Sequence, residues 1–268
     1  MAEPSLADLR REIDRLDAAM HGLLMERGEI IDRLIEVKKT VDSGSAFRPG
    51  REAAMMKVLA ERHHGHLPFD TVESIWRVII STFTYVQAPY SVHADISIGD
   101  APMRDTARFH FGFTVPYHTH QDASAVIRAI ADAAGDLGIF ATTTKGAWWQ
   151  GLIGTNTPKI IARLPFVERP DHPAGTPVFV ISKPLADAAV RERIIYAVKN
   201  ISLDQSQITK LSERDIALDA ASDHAALISA PGQLDLTSLT EAFRQIGVTD
   251  LSLDEVGSHA NRFHLQSA

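Results

Sequence analysis

The chain has 268 residues, 45% of them hydrophobic and 23% charged, with a formal net charge of −7 and no cysteine. Neither the stretch before Tyr90 nor the remainder is basic, so no nucleic-acid partner is expected. The missing cysteines exclude disulfides and thiolate metal sites and fit a cytoplasmic setting. The opening MAEPSLADLRREIDRLD carries charges where a secretory signal would have an apolar core, and no apolar run approaches the ~20 residues of a membrane helix, so no membrane partner is expected.

In chain order, Leu6, Leu9, Ile13, Leu16, Met20, Leu23 and Leu24 recur at steps of three and four, and Ile30, Ile31, Leu34 and Ile35 continue the stripe. Ser5 is a candidate N-cap with Asp8 as its capping-box partner. One helix of some 35 residues is predicted from Ser5 to Lys39. A helix this long cannot bury its stripe on itself and needs a partner, which points to a dimer. Asp42-Ser43-Gly44-Ser45 is a loop signal. Pro49 suits the first turn of a second helix, Pro49 to His63. A third helix is predicted from Asp70 to Gln87, with Val72, Ile75, Trp76, Ile79, Ile80, Phe83 and Val86 on one side.

After Pro89 the texture changes. His93–Ile98, Arg108–Phe113, Asp136–Phe140, Lys159–Leu164 and Pro177–Ser182 are predicted strands, and Ala123–Ala134 and Ala186–Lys199 are predicted helices. His224–Ser229, Leu236–Ile246 and Leu251–Val256 read as β-α-β. The expected fold class is therefore an N-terminal three-helix domain over residues 1–90 (long, short and medium helix) followed by an α/β domain over residues 91–268.

Leu9-Arg10-Arg11-Glu12-Ile13-Asp14-Arg15-Leu16-Asp17, Leu23-Leu24-Met25-Glu26-Arg27, Val37-Lys38, Arg48-Pro49-Gly50-Arg51-Glu52 and Ile75-Trp76-Arg77-Val78-Ile79-Ile80-Ser81, ending at Gln87, form an ordered set. In it the N-terminal region resembles the all-helical chorismate mutase family, which folds as an intertwined dimer. The resemblance implies conversion of chorismate to prephenate by a pericyclic rearrangement, with no cofactor and no metal. Such a reaction needs a compact substrate conformer and donors to the ether oxygen, not a nucleophile. An acceleration of ~10⁶-fold is about 8 kcal/mol.

Matched by position, the resemblance gives Arg27 one substrate carboxylate and Arg10, from the partner subunit, the other; arginine suits both. Lys38 would donate to a carboxylate and the ether oxygen, Gln87 would donate to the same oxygen, and Glu52 would orient the substrate hydroxyl. Arg51 would add positive charge. Arg27 and Lys38, eleven residues apart, share a helix face. Two positions depart from the family: Arg48 stands where an acid is usual, and Phe83 where a small hydroxyl residue is usual, with Thr84 next to it as a partial replacement. The alternative reading is a non-catalytic dimeric protein that binds a small metabolite through a mutase-like dimerisation domain.

Asp122-Ala123-Ser124 through Gly135-Asp136-Leu137-Gly138-Ile139-Phe140 resembles the helix and strand of a prephenate dehydratase domain in degraded form. Ala141-Thr142-Thr143-Thr144-Lys145-Gly146 replaces the Glu-Asn end of that strand, Thr176-Pro177-Val178 lacks the signature arginine, and Ile98-Gly99-Asp100-Ala101-Pro102 is a poor relic of the glycine-rich entry. Dehydratase activity is not expected. Thr142–Lys145 and Trp148–Gly151 are candidates to line a residual ligand pocket, and His118 and His120, on one side of a strand, lack a third metal ligand.

Overall fold

The computed structural model describes residues 4–38, 46–184 and 190–265. The chain forms two compact units, Met1–Ser43 and Gly44–Ala268. The loop expected at Asp42–Ser45 lies outside the described residues.

The first unit is one helix, α1 (Leu6–Lys38). Its start follows the expected capping box: the Asp8 N–H donates to Ser5 Oγ at 3.2 Å, and the Ser5 N–H donates to Asp8 Oδ2 at 3.0 Å. Its apolar line is uncovered, with Ile13 56% and Met20 58% exposed.

The second unit begins with α2 (Pro49–Arg62) and α3 (Phe69–Gln87). The chain then runs β1 (Val92–Asp95), α4 (Asp100–Phe111), β2 (Tyr117–His120), α5 (Ala123–Asp132) and β3 (Leu137–Ala141). A 3₁₀ turn (Trp148–Leu152) precedes β4 (Lys159–Leu164), β5 (Val167–Glu168) and β6 (Val178–Ser182). The last part is β7 (Arg193–Lys199), α6 (Gln205–Ser212), β8 (Ala217–Ser222), β9 (Ala225–Pro231), α7 (Leu236–Gln245), β10 (Ser252–His259) and β11 (Phe263–His264). Nine strands form one sheet in the order β2-β1-β3-β6-β4-β10-β7-β9-β8, parallel from β2 to β3 and antiparallel through β10, β7, β9 and β8. The segment β7-α6-β8-β9-α7-β10 is a split β-α-β of ferredoxin-like order. Thus the architecture is helical at the front and mixed α/β behind; the chain as a whole is not all-helical.

Three cores fix this arrangement. Phe47, Met56, Leu59, Val72 and Ile80 of the α2–α3 region share a core with Val92, Met103, Phe111, Leu137 and Val180. By packing, α2 and α3 therefore go with the sheet. Ile127, Ile130, Phe140, Trp149 and Phe179 fill the opposite face, and α6 and α7 cover β7 and β9 through Leu211, Leu239 and Phe243. The seam between β10 and β4 is close at Gly257, whose φ is +150°: a Cβ there would lie 2.1 Å from the Ile160 carbonyl oxygen, so only glycine fits.

Two expected elements are corrected. Arg108–Phe113 is the end of helix α4 and the loop that follows it, not a strand. Met103, Thr106, Ala107, His110 and Phe111 are buried at helical spacing, and the short Phe-His-Phe-Gly-Phe alternation imitated a strand. Residues 193–199 are strand β7, not helix; Ile194, Ile195, Tyr196, Ala197 and Val198 are buried on both faces of the sheet, as suits a central strand. In α3 the buried face is more polar than expected: Glu73, Arg77, Ser81 and Thr84 are buried together with Val72 and Ile80, while Ile75 and Val86 are exposed.

Candidate active site

The expected site residues fall in both units. On α1, Arg10 is exposed and Arg27 half-buried. They project from a helix of 33 residues with no proline inside it. Lys38 is the last residue of that helix, and its side chain lies outside the described residues.

In the second unit the sequence builds two helix ends. Arg48 occupies the N-cap of α2, and its Nη1 donates to the Phe47 carbonyl at 3.2 Å. Pro49 follows as the first helical residue, Arg51 is exposed, and Glu52 lies in the acid-favouring first turn. Glu52 is nevertheless only 4% exposed. Its Oε2 accepts a hydrogen bond from Arg77 Nη1 at 2.6 Å. At the end of α3, Phe83 and Gln87 are half-buried and Thr84 is buried. The Gln87 amide donates to the Phe83 carbonyl at 3.0 Å.

The structure thus joins Glu52 to residues that the sequence reading gave no role. Arg77 Nε and Nη2 donate to the His110 carbonyl at 3.2 and 2.8 Å. The His110 ring is buried, lacks a hydrogen-bond partner among the described residues and stacks on His172 at 5.9 Å between centroids. Burial, followed by the nearby Arg77 charge, pushes its pKa well below the ordinary imidazole value. The Tyr90 hydroxyl is also buried; burial, then the Glu52 charge, pushes its pKa upward. One helical turn before Arg77, Glu73 meets Arg169 Nη1 at 2.6 Å, and Arg169 Nε donates to Asp70 at 2.7 Å. The available signal was a polar stripe, Glu73, Arg77, Ser81 and Thr84, at helical spacing within α3.

A separate cavity of about 740 Å³ opens beyond the carboxyl ends of β1 and β3, beside the start of α5. Ser97, Arg128, Thr143, Thr144, Lys145 and Trp148 line it. Beneath it the buried Asp95 accepts from Ser97 Oγ at 3.0 Å and from Thr144 Oγ1 at 3.1 Å. Trp149, by contrast, is in the core. At the outer edge of the sheet, His93 Nδ1 lies 2.8 Å from His120 Nε2, and His93 Nε2 lies 3.1 Å from Asp136 Oδ2. Among the described residues no three His, Asp or Glu side chains form a group that could hold a metal ion. No helix among them is long and apolar enough to cross a membrane.

Comparison with known proteins addresses the helical segment most directly. Residues 9–88 match the family model of chorismate mutase type II. A bifunctional chorismate mutase/prephenate dehydratase of Neisseria gonorrhoeae (strain ATCC 700825 / FA 1090) is 31% identical over 83 residues, which are 31% of this chain and 22% of that protein. A protein of the same description from Pseudomonas aeruginosa (strain PAO1) is 28% identical over 151 residues, 54% of this chain and 41% of that protein. The chain therefore spans less than half the length of these relatives. The crystal structure of the prephenate dehydratase from Staphylococcus aureus subsp. aureus Mu50 covers 63% of this chain and all of its own, at 9% identity and a TM-score of 0.42.

Proposed function

We propose that the chain rearranges chorismate to prephenate, as a homodimer joined through its N-terminal helices, and works in the cytoplasm in aromatic amino-acid biosynthesis. The observation that carries this reading is the family match over residues 9–88, which includes every residue the resemblance gave a role. Arg27 and the second copy's Arg10 bind the two substrate carboxylates. Arg51 adds positive charge near them. Lys38 and Gln87 donate to the ether oxygen as its negative charge grows, and Glu52 accepts from the substrate hydroxyl. Donors fixed in advance around a developing charge lower the barrier without a proton shuttle. The functional division falls near residue 90, with the α/β part after it as an appended domain, although α2 and α3 pack on that part.

The decisive measurement is chorismate loss by ultraviolet absorbance with the purified chain. Absence of rearrangement at millimolar chorismate rejects the enzyme reading. A second reading, a non-catalytic dimer that binds a small metabolite, is favoured by Arg48 and Phe83 standing where the family keeps an acid and a hydroxyl. It predicts calorimetric binding of chorismate without turnover.

A further inference from the structure

Arg77 is 1% exposed in the middle of α3, and all its contacts are fixed. Nη1 donates to Glu52 Oε2, and Nε and Nη2 both donate to the His110 carbonyl. The guanidinium carbon lies 5.4 Å from the centroid of the Phe166 ring. The His110 carbonyl belongs to the last turn of α4, where carbonyls lack partners within the helix and the dipole is negative. The rigid guanidinium fork is therefore anchored on α4 at one side and holds the carboxylate of α2 at the other. A lysine at this place would offer a single point charge and could not fix both directions. Arg77 thus holds Oε2, and the proposed reading assigns the other oxygen, Oε1, to the substrate hydroxyl.

We infer that Arg77 is a positioning residue for the proposed rearrangement, acting through Glu52, and that α4 of the α/β part thereby sets the aim of that carboxylate. The inference rests on the mutase reading. A second arginine that reaches the same helix provides the contrast: Arg169, just after β5, holds Asp70 and Glu73 of α3, and among the described residues it has no hydrogen bond or ion pair with Glu52.

The test measures chorismate turnover by the full chain and its variants, with melting midpoints alongside. Arg77→Gln lowers kcat roughly 10- to 100-fold, as expected for a misaimed group, while KM stays within about twofold. Arg77→Lys recovers part of kcat. The double variant Glu52→Gln/Arg77→Gln is no slower than Glu52→Gln alone within about twofold, since both remove one function. Arg169→Gln lowers the melting midpoint but keeps kcat within about twofold of the wild type. An unchanged kcat in Arg77→Gln, additive losses in the double variant, or an equal kcat loss in Arg169→Gln each overturns the inference. Where Arg77→Gln does not fold, Arg77→Lys carries the test, and a full wild-type kcat there overturns it. Wild-type protein without turnover rejects the mutase reading itself; active wild type with fully active Glu52→Gln keeps that reading and overturns the role of Arg77.

Discussion

The side-chain amide of Gln87 donates to the carbonyl of Phe83, one turn earlier on α3, at 3.0 Å. An amide nitrogen carries two protons; this bond uses one, and the proposed reading assigns the other to the substrate ether oxygen. The bond also fixes the direction of that second proton. Phe83 thus supports Gln87 through its backbone, and in the proposed reading its ring stands where the chorismate mutase family keeps a small hydroxyl residue.

Gln87→Ala and Phe83→Ser separate these two contributions. Removing a donor to a developing oxyanion costs about 10²–10³ in kcat, so Gln87→Ala is expected to lose that much with little change in KM. Phe83→Ser leaves the carbonyl in place and adds a hydroxyl. A hydrogen bond to a charged group contributes about 1.5–3 kcal/mol, so a fall in KM of about tenfold or more is expected at 1.4 kcal/mol per tenfold. Steady-state chorismate loss checks both. A Phe83→Ser variant with raised KM would show that the ring belongs to the pocket.

His259 makes stability depend on pH. Its Nδ1 donates to the Ala260 carbonyl at 2.7 Å, and its Nε2 is buried without a hydrogen-bond partner among the described residues. Burial, then the charges of Arg163, Arg193 and Arg262, lower its pKa to about 4, against that one hydrogen bond, which raises it. An unfolded histidine titrates near 6.5, so between about pH 6.5 and 4 the unfolded chain binds the proton and the folded chain does not. Stability is complete above pH 6.5 and falls with acid, by up to roughly 3 kcal/mol from this group at about 1.4 kcal/mol per unit. His110 acts with the same sign. Urea midpoints at pH 4.5, 5.5, 6.5 and 7.5 should fall toward acid in the wild type and fall less steeply in His259→Gln. Equal slopes would remove His259 as a cause.

The sequence carried α1 almost to the residue, because a long apolar period and a capping box are local signals that no tertiary contact contradicts. The same was true of β3, β4 and α7, each a strong pattern between turn residues. It did not carry β7, where Arg193–Lys199 follows a stretch rich in alanine and arginine, and the decision between helix and strand is made by burial on both faces. Nor did it show the Glu52–Arg77–His110 link. That link joins three helices across separations of 25 and 33 residues; Glu52 had a substrate role by resemblance, but Arg77 had none and His110 lay in a segment expected to be a strand, so nothing local connected them. The cavity beside Lys145 was anticipated only through the threonine run and Trp148, since its shape depends on how β1, β3 and α5 end together.

The exposed line on α1 predicts the oligomeric state. Leu9, Ile13, Leu16, Met20 and Leu23 are each about half exposed or more along one helix, and covering one such side chain contributes about 1.5–3 kcal/mol. A second copy offers a matching line, since a two-fold interface brings the same surface from both chains. Leu16→Glu/Met20→Glu removes two apolar side chains from each chain of the symmetric seam, each already about half covered, and places like charges there. Its dissociation constant should rise about 10³-fold, given 1.4 kcal/mol per tenfold. Sedimentation velocity over micromolar dilutions reads this directly. The roles of Arg10 and Arg27 sharpen the test, because they are assigned to one substrate from two chains. Arg10→Ala and Arg27→Ala dimers are each expected to be inactive. After mixing and re-equilibration, half of the dimers carry one intact pair, so about a quarter of wild-type activity returns in a symmetric two-site dimer. Mixtures that stay inactive while exchanging subunits would place Arg10 and Arg27 in separate functions.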